Sequence, residues 1–98
     1  MKKFRCPDPA HGGEVLVHIL EPLRCAPPNY REVEIILSDG RRFVAVVARD
    51  PQQRGGHWWE KPGAIMVQDV STEQVLAAVQ DILQRGAVDE AFELMPED

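Results

Sequence analysis

Apolar residues recur in short alternating runs over the first two thirds of the chain and at helical spacing over the last third. The stretch "EVLVHILEPLR", residues 14–24, sets Val15, Val17 and Ile19 on one side and Leu16 and Leu20 on the other. With Gly12-Gly13 before it and prolines after it, this composition predicts a first strand ending near Leu20. In "REVEIIL", residues 31–37, Val33, Ile35 and Leu37 alternate with Glu32, Glu34 and Ile36; "RRFVAVVAR" follows at 41–49. Asp39-Gly40 between them predicts a hairpin closed by a two-residue type I′ turn. A fourth strand is predicted in "AIMVQDV", residues 64–70, with Ile65 and Val67 on one side and Met66 and Gln68 on the other.

The pattern then changes period. Ser71 is placed to cap a helix, Gln74 to complete a capping box and Val70 to staple onto Val75. Val75, Leu76, Val79, Ile82 and Leu83 form one apolar stripe, and Gly86 supplies a left-handed stop. Val88, Phe92 and Met95 in "VDEAFELM" extend the helical spacing, which predicts a short second helix with a final strand as the alternative. Strands followed by helices, with no repeat or linker, predict one α+β domain over residues 1–98: a four-stranded antiparallel meander (β-β-β-β-α-α) with the C-terminal helix on one face.

One part of this pattern does not balance. Phe43, Ala45 and Val47 face one way, yet Val44, Val46 and Ala48 on the same strand are also apolar, so both faces of the sheet need cover. A single helical stripe covers one. The largest remaining apolar groups are Trp58 and Trp59 in "RGGHWWEKPG", residues 54–63, read as a loop between glycines and a proline. Each tryptophan can bury about 150–250 Å². They are expected either to cover the second face or to anchor a partner there. With Arg54 and His57 beside them they form the candidate partner-binding set, and a homodimer formed by twofold pairing of sheets, testable at Val46, is the expected assembly.

Composition adds exclusions. At 98 residues, 44% hydrophobic and 28% charged, the chain has a globular profile. The charged and proline-containing "MKKFRCPDPA" does not read as a secretion signal, and "FVAVVA" is far below the roughly 20 residues of a membrane span, so a cytoplasmic protein with no membrane contact is expected. Cys6 and Cys25 are then reduced thiols.

The net charge of −5 argues against nucleic-acid binding and is unevenly placed: residues 1–61 carry +2 and residues 62–98 carry −7. Arg41, Arg42, Arg49, Arg54 and Lys61 surround the hairpin and the tryptophan loop, which makes polyanion binding one alternative reading. Asp81, Asp89, Glu90, Glu93, Glu97 and Asp98 offer an acidic contact surface on the helical part.

No chemical motif is complete. Cys6, His11, His18, Cys25 and His57 are potential zinc ligands, but no pair of them has the spacing of two to four residues that a zinc knuckle uses. No metal or cofactor is expected. A Cys/His enzyme built from Cys25, His18 or His57 and Glu21 is the other alternative, although an extended strand separates Cys25 from His18 by over ~20 Å. Neither Gly12-Gly13 nor Gly55-Gly56 leads into a helix, so neither reads as a phosphate loop. The reading that remains is a small non-enzymatic protein-interaction module.

Overall fold

The computed structural model describes residues 2–10, 12–20, 30–50 and 56–95. They form β1 (Lys2–Pro7), β2 (Glu14–Ile19), β3 (Tyr30–Ile36), β4 (Arg42–Arg49), β5 (His57–Lys61), β6 (Ala64–Val67), α1 (Thr72–Arg85), α2 (Val88–Ala91) and β7 (Glu93–Leu94). All seven strands belong to one sheet of order β1-β2-β3-β4-β6-β5, with β7 also paired to β4.

The expected four-stranded antiparallel meander is therefore wrong in three respects, although the α+β class and the helical cover on one face stand. First, "KKFRCP" is a strand. Its charged side chains are compatible with its place at the sheet edge, where one face meets solvent while Cys6 points into the core.

Second, the tryptophan segment is not a loop. It is strand β5, paired antiparallel with β6 through a turn at Pro62-Gly63. Proline fixes the first turn residue, and Gly63 takes the second at φ +90°, a conformation that penalises any side chain.

Third, β6 runs parallel to β4, with Val46 to Arg49 facing Ala64 to Val67. The chain leaves β4, descends along the outer edge as β5 and returns between them as β6. The composition explains the order. "AIMV" is apolar on both faces and suits an interior position, whereas "HWWEK" has the polar ends of an edge strand.

The β3–β4 hairpin forms where expected but with a different turn. Leu37 accepts from the Gly40 N–H and donates its own N–H to the Arg41 carbonyl, leaving the three residues 38–40 in the loop. Gly40 stands at φ +93°, the positive-φ position of a three-residue hairpin with a bulge.

Helix α1 starts and stops as its sequence signals. The Ser71 hydroxyl accepts the Gln74 N–H at 3.3 Å, and Gly86 closes the helix in the left-handed region. Val75, Ala78, Val79, Ile82 and Leu83 are buried against Val15, Val17, Ile19, Val33, Ile35, Phe43, Ala45, Val47, Ile65 and Val67 from the sheet. Each large aliphatic side chain so buried contributes about 1.5–3 kcal/mol.

The expected second helix is cut to one turn. Phe92 leaves the helix in an extended conformation with its side chain buried, and Glu93–Leu94 then pair with Val44 and Phe43. The helix and the strand posed as alternatives both occur, in sequence. No helix among the described residues is long and apolar enough to cross a membrane.

Candidate functional site

Directly opposed residues of neighbouring strands share a face. Trp59 faces Ile65 and packs against the core, whereas Trp58 faces Met66 on the side away from the helices. The adjacent tryptophans thus serve opposite faces. Trp59 answers the packing need, and Trp58 belongs to a row that crosses four strands: Tyr30 opposite Ala48, Ala48 opposite Met66, Met66 opposite Trp58.

Below that row, Glu32, Val46 and Ala64 are successive neighbours, and below them His18, Glu34 and Val44. No described helix covers this surface. Val46 is 44% exposed and Leu16 is 38% exposed, the values of side chains without a layer above them. Leu16 borders Ile36 at the β2 side of the same face.

Trp58 is held in place by a buried acid. Its indole N–H donates to Asp50 Oδ2 at 2.9 Å, and Asp50, at the end of β4, is 2% exposed and donates its own N–H to the Val67 carbonyl. His57, on the helix side of β5, places Nε2 2.7 Å from Asp81 Oδ2 of α1, and Arg85 Nε reaches the same oxygen at 3.0 Å. This trio ties the outer strand to the helix. Of the expected partner-binding set, Trp58 alone faces outward from the sheet on the uncovered side; Trp59 and His57 are turned to the helix side, and Arg54 lies outside the described residues.

The other constellations weighed from the sequence lie partly outside the described residues. His18 lies on the uncovered face of β2 and His57 on the helix side of β5, with β3, β4 and β6 between them, so the strands alone are ~19 Å apart. Cys25, Glu21 and His11 lie outside the described residues. Cys6 is buried, and burial pushes its thiol above the ordinary value despite a 3.9 Å contact from the Gln80 side-chain amide. Among the described residues no three His, Cys, Asp or Glu side chains are grouped to hold a metal ion.

Of the basic residues read as surrounding the hairpin and the tryptophan segment, Arg54 lies outside the described residues and the others are spread apart. Arg42 and Arg49 mark opposite ends of β4, ~24 Å apart and on opposite faces. Arg41 is held by Asp39 at 2.8 Å in the turn.

A different basic group was missed. Lys3 stands opposite His18 and Arg5 opposite Leu16, and together with Phe4 they line a shallow depression of about 420 Å³ between β1 and β2. The signal was present in "KKFRC", where charged and apolar residues alternate. Neither Lys3 nor Arg5 makes an ion pair with a described residue, whereas Glu34 is engaged by His18 at 3.7 Å and Arg42 at 4.0 Å. Comparison with known proteins adds no family: no family model, no curated protein and no solved structure matches the chain.

Proposed function

We propose that this is a cytoplasmic protein-interaction domain whose contact surface is the sheet face opposite the helices, and that the occupant of that face is a second copy of the chain. The observation that carries this reading is the exposure of Val46 at the middle of the central strand, beside the row Ala48, Met66 and Trp58. Area supports it. Six strands span ~24 Å and β4 is ~27 Å long, a footprint on the order of 600 Å², comparable with the ~800 Å² per partner of an ordinary stable interface.

The anchors also fit. Trp58 is already fixed by Asp50, so little side-chain freedom is lost when it is covered, and aromatic side chains concentrate interface energy. The free, buried Cys6 agrees with a reducing compartment.

Light scattering at micromolar concentration tests the reading. A mass near twice 11.0 kDa that falls to the monomer value in Val46→Glu supports pairing through this face. A wild-type mass near 11.0 kDa removes the second copy as its occupant.

A further inference from the structure

We infer that the outer edge of β1 is a docking site for an extended acidic segment of another protein, which adds to the sheet as a further strand and places acidic side chains two residues apart on Lys3 and Arg5. The outer edge of β1 borders the face that carries Val46, with Leu16 and His18 common to both, but strand addition at that edge does not require the dimer.

Three observations converge on it. β1 is a six-residue edge strand, and among the described residues no strand pairs with its outer side, so alternate N–H and C=O groups there are turned outward as a template. Lys3 and Arg5 are exposed and make no ion pair with a described residue, in a chain whose net charge is −5, so this corner runs against the charge of the whole. Beside them lies the shallow depression that Leu16 and His18 of β2 also line, which adds apolar surface next to the two cations.

Charge selects the occupant. A second copy adding through β1 would bring Lys3 and Arg5 against their own duplicates, and like charges on adjacent strands repel. An acidic strand meets the opposite situation. Residues i and i+2 of an extended segment point to one face at ~6.8 Å spacing, the same spacing as Lys3 and Arg5, so Asp or Glu at such positions meets both cations in register. Glu34, with His18 at 3.7 Å and Arg42 at 4.0 Å, lies on β3, two strands in from β1, and pairs with neither cation.

Selection of a random-peptide phage library on the full chain tests the site. The enriched peptides are expected to carry Asp or Glu at two positions separated by one residue. Their affinity is expected to fall by more than about tenfold in Lys3→Glu/Arg5→Glu, two exposed positions, and to be unaffected by Val46→Glu. Bound peptide should slow amide exchange in β1.

Four results would overturn the inference: no acidic enrichment, enrichment that survives the charge reversal, unchanged exchange in β1, or displacement of the peptide by oligothymidylate of equal charge. The last would mean that the corner binds polyanions without reading strand geometry.

Discussion

Trp58 and Asp50 form a hydrogen bond of 2.9 Å between an indole on the outer strand and a carboxylate that is almost wholly buried. Trp59, its neighbour, has its side chain against the core instead. The two residues should respond differently to substitution. Trp58→Phe keeps an aromatic surface but removes a donor from Asp50, at a cost of about 1–3 kcal/mol. Trp59→Ala opens the core beside Ile65 and costs about 2–4 kcal/mol, with no effect on the uncovered face. Urea unfolding gives both values; in light scattering Trp58→Ala, which removes the surface itself, should lower the mass while Trp59→Ala should not, and equal behaviour of those two would contradict the division of roles.

His57 and Asp81 join β5 to α1, with Arg85 on the same carboxylate oxygen. Because these groups are partly solvated, Asp81→Asn is expected to cost no more than about 1 kcal/mol globally. Its local effect is larger: amides of β5 should exchange faster while those of β2 and β3 do not. A double-mutant cycle with His57→Gln measures the coupling, and Arg85→Ala, at a well-exposed position, should matter less than either.

Gly63→Ala tests the turn between β5 and β6. An added Cβ would lie 3.1 Å from the Glu93 carboxylate, the movable end of a side chain, whereas φ +90° is fixed by the turn. The expected cost of about 1–2 kcal/mol is therefore a backbone cost. Thermal unfolding of Gly63→Ala/Glu93→Ala should show no recovery; recovery would locate the penalty in the side-chain contact instead.

The Cys6 thiol is buried, and desolvation raises its pKa above the ordinary thiol value. In a Cys25→Ser background, a disulfide reagent is expected to label Cys6 slowly in the native protein and at once in urea. Stability follows the same sign. The contribution of the neutral thiol is complete below the pKa of the unfolded thiol and is lost as the pH rises through the higher folded value. Cys6→Ala should flatten the alkaline decline, as read from urea midpoints.

Local signals were legible and long-range ones were not. Ser71, the Val75–Leu83 stripe and Gly86 define α1 within one continuous segment, and each does what its position implies. The alternation around Asp39-Gly40 likewise marks a hairpin, although the turn has three residues rather than two, with Gly40 at positive φ and Asp39 accepting the Arg41 N–H.

The place of β6 depends on a partner some eighteen residues away, Val46 for Ala64, and no period within "AIMV" specifies it. Lys3 and Arg5 obscured β1 because a strand at an edge need not look apolar. The apolar second face of β4 was the most informative conflict in the sequence, since the structure leaves Val46 exposed on it. Trp58 and Trp59 became distinguishable only once the segment was known to be a strand, where adjacent residues point apart.

The parallel insertion of β6 also orders the folding reaction in time. The β3–β4 pair can zip from Ile36 opposite Arg42, six residues apart, and β1–β2 from Pro7 opposite Glu14, seven apart, whereas every β4–β6 pair, from Val46–Ala64 to Arg49–Val67, lies eighteen residues apart. Loop-closure entropy therefore favours a transition state in which the β3–β4 pair is structured and the β5–β6 hairpin, itself closed by a two-residue turn, is not yet docked on β4. On that ground, substitutions in the hairpin should accelerate unfolding and leave the refolding rate almost untouched, while losses at Val33 or Ala45 in the β3–β4 pair should slow refolding itself.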